Sequence, residues 1–121
     1  IALNNLAMIY LDSHRGLNQN LDRARTLAEQ AIRRSRNTFE IADTLGQAYL
    51  KLGRGQDAAQ ILAHAVLLAP RNPLIRLHLG QALELTGRKN DAAGQLRTAL
   101  QLSTDFEGAD AARELLKSLE N

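Results

Sequence analysis

The residue types that could support catalysis or metal binding are few in this 121-residue sequence and poorly placed for either. Asp12, Ser13 and His14 are the residue types of a hydrolytic triad, but three consecutive residues in a turn do not face one another, whereas a triad is a spatial arrangement. The other two histidines, His64 and His78, have no metal-ligand spacing, and the sequence contains no cysteine. We therefore predict no catalytic residue, no metal site, no cofactor and no small-molecule substrate, so that the protein is not an enzyme.

The arginines near the start of the chain suggest one alternative function, the binding of an anionic partner. Residues 1–38 carry six arginines against three acidic residues, whereas the rest of the chain carries nine basic and ten acidic residues, which leaves a formal net charge of +2. The arginines that could contact an anion are Arg23, Arg25, Arg33, Arg34 and Arg36. Nucleic-acid binding usually combines basic residues with stacking aromatic rings, and none lies among these arginines. We expect a solvated helix face, and binding to nucleic acid or an anionic surface is the alternative function.

The composition favours a helical protein without a membrane span. Apolar residues make up 45% of the chain and aromatic residues only 3%, so alanine and leucine must provide the packing. No run approaches the roughly 18 apolar residues that a membrane-spanning helix needs. The absence of cysteine is compatible with an oxidising or a reducing compartment.

The most informative feature is an internal repeat. Residues 39–70 align with residues 73–104 at an offset of 34, and 13 of the 32 aligned pairs are identical. Each copy contains two segments in which apolar residues recur at spacings of three and four. A glycine separates the two segments, Gly53 in the first copy and Gly87 in the second. This spacing predicts two amphipathic helices joined at a glycine turn, so each copy is a helical hairpin. A period of this size indicates hairpins stacked in series.

The repeat resembles the tetratricopeptide repeat, a helix-turn-helix module of 34 residues. The residues that carry the resemblance are Leu45, Gly46, Tyr49, Gly53, Ala58, Ala59, Leu62, Ala65 and Pro70. The resemblance implies an all-α, right-handed solenoid of three hairpins and a C-terminal capping helix, seven helices in total. We expect small residues such as Gly46 and Ala58 to let paired helices approach closely.

These units divide a single tetratricopeptide domain, residues 1–121. Repeat 1 covers about residues 1–38, with a five-residue insertion in its inter-helix turn, repeat 2 residues 39–72 and repeat 3 residues 73–104. The capping helix covers residues 105–120, and Thr104 and Glu107 have the spacing of a capping box at its start. We expect the chain to be a fragment of a longer protein, because it begins at Ile1 without a methionine and inside a predicted helix. We expect the apolar stacking surface of its first hairpin to be either partly exposed or buried by self-association through that uncapped end.

The resemblance also places a binding groove. In tetratricopeptide arrays the first helices of successive repeats line a concave groove that holds peptides or partner helices. Transferred by position, the groove residues of this chain are Asn4, Asn5, Met8, Asp12, Glu40, Asp43, Thr44, Gln47, Lys51, Leu77, His78, Gln81 and Glu84. Their amides can hydrogen-bond the backbone of an extended peptide.

Members of the family that bind chaperones hold a C-terminal carboxylate with Lys, Asn and Arg at fixed groove positions. Here those positions hold Asn4, Met8, Thr44, Leu74 and His78. Because no Lys or Arg remains to pair with the carboxylate, we do not expect this chain to bind a chaperone tail.

We predict a non-catalytic scaffold that binds a peptide or partner protein in the groove. The motifs NNLA at residues 4–7, LG in the next two repeats and DFEGADAARELL at residues 105–116 resemble bacterial tetratricopeptide proteins, including the C-terminal region of exosortase-system lipoproteins. That similarity implies a bacterial envelope or assembly complex, with a periplasm-facing location favoured over the cytoplasm.

Overall fold

The computed structural model describes residues 39–121 and, before them, Arg23, Thr26 and Gln30, each of which is helical. The described part of the chain contains helices and no strand, which confirms the all-α prediction. Within residues 39–121 the five helices are α1 (Phe39–Lys51), α2 (Gly55–Leu68), α3 (Pro73–Leu85), α4 (Lys89–Leu102) and α5 (Ala109–Glu120). Apart from the three helical residues named above, the predicted helices before Phe39 and the predicted insertion between them lie outside the described residues.

The turns within the two hairpins are built in the same way. Gly53 and Gly87 adopt positive φ angles of 75° and 82°, a left-handed conformation that glycine tolerates best. The next residue then donates its backbone N–H back to the preceding helix, from Arg54 to the Tyr49 carbonyl and from Arg88 to the Leu83 carbonyl, both at 2.9 Å. This arrangement satisfies carbonyls at the end of the first helix and reverses the chain.

Close packing inside each hairpin depends on a glycine in its first helix. A Cβ atom on Gly46 would overlap the Leu62 side chain, and one on Gly80 would lie 2.9 Å from Leu96 Cδ2. The two leucines are completely buried, as are Ala58 and Ala92. These contacts confirm that small residues let the helices of a hairpin approach closely.

Helix α5 covers the far end of the second hairpin. Ala112 is completely buried and packs in one apolar cluster with Leu77 and Leu96. The helix begins at Ala109, preceded by a left-handed Gly108 with φ of 100°. Thr104 and Glu107 therefore do not form the predicted capping box; the Thr104 carbonyl instead accepts a hydrogen bond from Arg113 Nη1 at 3.1 Å.

The helices are stacked in series. Within residues 39–121 each helix contacts only helices one or two places away along the chain, including α1 with α3 and α3 with α5. The first helices of the two hairpins therefore lie side by side and form one face of the solenoid. Among the described residues, no helix has both the length and the apolar character needed to cross a bilayer.

Candidate functional site

The candidate site is the face formed by α1 and α3, where the sequence places the groove. Glu40, Lys51 and Glu84 are exposed on this face, and Gln47 and Gln81 are half-buried. The other predicted groove residues of the first repeat, Asn4, Asn5, Met8 and Asp12, lie outside the described residues. The open face of the described helices therefore combines two amides with charged side chains.

Two predicted groove residues are buried instead. Thr44 is 3% exposed, and its hydroxyl donates to the Glu40 carbonyl at 2.9 Å. Leu77 is also 3% exposed and packs with the residues that α5 covers. Both side chains therefore expose little surface to a ligand, and their contact with a partner stays a prediction.

The physical reason lies in the stacking of the first helices. Residues 43 and 77 hold equivalent positions in the two repeats, and both face the next helix of the stack. Asp43 reaches His78 on α3, whereas a Cβ on Gly108, just before α5, would lie 2.7 Å from Leu77 Cδ2. Both positions therefore join neighbouring repeats, and Asp43 also lines the edge of the groove.

A polar cluster couples α1 to α3. Asp43 Oδ1 accepts a hydrogen bond from His78 Nδ1 at 2.6 Å, and Asp43 Oδ2 accepts one from Gln47 Nε2 at 2.9 Å. The side chains of Asp43 and His78 are each only 14% exposed. Because both carboxylate oxygens are engaged, the cluster positions the two helices and leaves the Nε2 atom of His78 for further contacts.

A cavity of about 290 Å³ opens beside this cluster, which we call the groove hollow. The first turns of α1 and the start of α3 form its walls, because these helices lie side by side there. Its lining includes Phe39, Glu40, Asp43, Gln47 and Leu74. Four predicted groove positions of α1, at residues 40, 43, 44 and 47, thus surround one cavity.

A second cavity, of about 620 Å³, lies at the loops that precede α3 and α5, and we call it the loop hollow. Its lining is largely apolar, with Pro70, Pro73, Leu74 and Phe106. Asn72 and Leu74 line both hollows, so the two cavities adjoin at the start of α3.

Asn72 fixes the start of α3 between the hollows. Its Oδ1 atom accepts hydrogen bonds from the backbone N–H groups of Leu74 at 3.0 Å and Ile75 at 3.3 Å, and Pro73 occupies the first helical position. Asparagine followed by proline is a standard helix start, so this signal was visible in the sequence. No local sequence signal indicated that Phe106 lines the loop hollow, because its position depends on the conformation of the loop before α5.

A third cavity lies on the opposite face, between α2 and α4. It measures about 670 Å³ and includes Gln60, Ala63 and Gly94 in its lining. We call this face the back face. Glutamines on α2 and α4 can serve as controls when glutamines of the α1–α3 face are substituted.

The described residues hold no group of three His, Asp or Glu side chains arranged to bind a metal ion. The histidine of the groove is engaged with a carboxylate on a neighbouring helix rather than directed at a nucleophile. What the arrangement supports chemically is hydrogen bonding and charge recognition by Glu40, Gln47 and Gln81.

Comparison with protein families identifies the repeat. Residues 40–72 match the family model described as tetratricopeptide repeat. A comparison with curated proteins finds no match.

Several solved structures share the fold over nearly the whole chain. The Sgt2 tetratricopeptide domain from Aspergillus fumigatus has a TM-score of 0.87 and 17% identity, covering 98% of this chain and 75% of that one. The Yersinia enterocolitica type III secretion chaperone SycD, in complex with a peptide of the translocator YopD, has a TM-score of 0.86 and 15% identity, covering 98% and 90%. The first tetratricopeptide domain of Spaghetti (RPAP3), bound to the HSP90 peptide SRMEEVD, has a TM-score of 0.83 and 16% identity, covering 99% and 92%.

Proposed function

We propose that this chain, which has the tetratricopeptide fold and in which residues 40–72 are a tetratricopeptide repeat, is a non-catalytic scaffold that binds a peptide or partner protein on the α1–α3 face. The observation that carries the proposal is Gln81, whose half-buried side chain has no hydrogen-bond partner among the described residues. An amide in that position can both donate to and accept from a peptide backbone. The residues proposed to contact the partner are Glu40, Asp43, Gln47, Lys51, His78, Gln81 and Glu84.

The polar cluster supports this role because it forms the surface in advance. The hydrogen bonds from His78 and Gln47 to Asp43 hold α1 and α3 in place without a ligand. A preorganised surface loses little conformational entropy when a partner binds. Two proteins with this fold, SycD and RPAP3, have been solved with bound peptides, which supports peptide binding here.

The setting proposed for this scaffold is a bacterial envelope or assembly complex. Support for it comes from the motifs at residues 4–7 and 105–116, which resemble those of bacterial tetratricopeptide proteins.

Paired amide substitutions test the proposed face. Replacing Gln47 and Gln81 with alanine removes two amides from the α1–α3 face, whereas replacing Gln60 and Gln101 removes two exposed amides from α2 and α4. We expect the groove variant to lose partners about tenfold in a quantitative pull-down from native lysate while the back-face variant retains them. Both variants should keep the wild-type helical content by circular dichroism.

The reverse result, with partners retained by the groove variant and lost by the back-face variant, would move the binding surface to the cavity between α2 and α4. Equal retention by both variants would contradict the amide-based groove.

A further inference from the structure

We infer, resting on the proposed function, that the partner segment presents a lysine or arginine side chain to the groove hollow and a neighbouring apolar side chain to the loop hollow. The proposal goes beyond peptide binding because it specifies the sign of the partner's charge and the order of its anchors. It rests on the adjacency of the two hollows, on the charges that line them and on the hydrogen-bond donors between them, which are already engaged.

The two hollows adjoin. Leu74 and Asn72 belong to both linings, so neighbouring side chains of one bound segment can reach both hollows. The neighbourhood of Leu74 is closely packed, since a Cβ on Gly108 would lie 3.2 Å from its Cδ1 atom and 3.6 Å from Phe106 Cε2. An apolar side chain placed there contacts a preformed aliphatic and aromatic wall.

Charge separates the two halves of this surface. Among the described residues, two carboxylates and no lysine or arginine line the groove hollow. They belong to Glu40 and to Asp43, whose oxygens already accept from His78 and Gln47. The carboxylate of Glu40 is exposed and has no partner among the described residues. In the loop hollow Arg71 and Glu107 are both exposed and offset each other.

Among the described residues of this face, the lysine is too distant to neutralise Glu40. Lys51 lies 11 residues further along α1, which corresponds to about 16 Å along the helix axis at roughly 1.5 Å per residue. That separation is about twice the screening length of roughly 8 Å at physiological ionic strength. A cationic side chain in the groove hollow therefore meets a locally negative surface.

An anionic partner finds few donors on the same surface. The start of α3 would ordinarily attract an anion through its free N–H groups, but Asn72 already accepts from Leu74 and Ile75, and Pro73 has no N–H. Arg76 is also engaged, donating to the Pro70 carbonyl and to Gln95, both at 2.9 Å. The groove hollow thus disfavours an acidic side chain and favours a basic one, whereas the loop hollow carries one charge of each sign, Arg71 and Glu107.

Selection from a library of random 12-residue displayed peptides, with the full chain as bait, tests the inference. We expect enrichment of lysine or arginine next to Leu, Ile, Met or Phe. The enriched peptides should bind Glu40→Gln about two- to fivefold more weakly than wild type by fluorescence anisotropy, the range of an exposed ion pair. Glu40→Lys should weaken them further, whereas Glu114→Lys, an exposed acidic position on α5, should leave binding unchanged. The acidic peptide SRMEEVD should not bind.

The outcomes distinguish this inference from the proposed function. Peptides without a charge preference, or enriched in acidic residues, would overturn the inference while their loss on Gln47→Ala and Gln81→Ala still supports groove binding. Tight binding of SRMEEVD would overturn it as well. Peptides whose binding is unaffected by any substitution on the α1–α3 face would contradict both.

Discussion

Individual glycines of residues 39–121 have different roles, although all of them lie in or beside helices. Gly46 and Gly80 lie where a facing leucine leaves no room for a methyl group. Gly94, in the middle of α4, has no atom within 4 Å of a Cβ position. The same substitution therefore has opposite effects at different glycines, because helix propensity favours alanine everywhere and steric overlap opposes it only at the packed sites.

Substitution of single glycines by alanine tests this distinction. Gly46→Ala should lower the free energy of unfolding by about 1–3 kcal/mol, because the new methyl group displaces Leu62 from the centre of the hairpin. Gly94→Ala should raise it by about 0.5–1 kcal/mol, through the lower backbone entropy of alanine in the unfolded chain. Urea unfolding followed by circular dichroism measures both. An unchanged or raised free energy of unfolding in Gly46→Ala would contradict the packing assigned to Gly46, and a lowered one in Gly94→Ala would contradict the open position assigned to Gly94.

At the scale of elements, α5 acts as the cover of the second hairpin. Its inner face includes Ala109 and Ala112, both buried, while Arg97 on α4 binds Glu120 near its end at 2.6 Å. Arg113 links the middle of the helix to the Thr104 carbonyl. Since the surface ion pairs contribute little, the apolar inner face provides most of the attachment.

Neighbouring alanines on α5 allow a matched test of this attachment. Ala112→Glu would place an unpaired carboxylate against Leu77 and Leu96, so we expect α5 to detach and the free energy of unfolding to fall by about 2–4 kcal/mol. Ala111→Glu, at an exposed position one residue earlier, should change it by about 0.5 kcal/mol or less. Thermal unfolding gives the stability, and hydrogen exchange of the α5 amides reports detachment. Protected α5 amides in Ala112→Glu would show that another contact holds the helix.

At the scale of the whole molecule, stability is a sum of contacts between neighbours. Within the described helices, α3 contacts all four others, whereas α1 and α5 each contact only two. Such an array opens from its ends, with local stability set by each hairpin and by the interface to the next.

Two equivalent leucines, 34 residues apart, test this view. Leu62 and Leu96 are both completely buried, one in each hairpin, and truncation of either to alanine should cost about 2–5 kcal/mol. Under native conditions, hydrogen exchange should accelerate most in α1 and α2 for Leu62→Ala and most in α4 and α5 for Leu96→Ala. A uniform loss of protection across all five helices in both variants would show that the array unfolds as one cooperative unit.

The sequence by itself determined the type of fold. The 34-residue period, the three- and four-residue spacing of apolar side chains and the glycines at positions 53 and 87 predicted the helical hairpins, because these features act locally and recur in each repeat. The start of the last helix was less predictable: Thr104 and Glu107 have capping-box spacing, but Gly108 and the packing against Leu77 and Leu74 delay the helix to Ala109.

Only the tertiary structure decided which groove positions remain open. Asp43 and Leu77 are equivalent by sequence, yet one meets a histidine on α3 and the other an apolar contact before α5. The partner of each position lies some 30 or more residues away, and its identity depends on how the next helix is stacked. The period of a sequence specifies the face that a residue occupies, whereas the neighbouring repeat determines whether that face is covered.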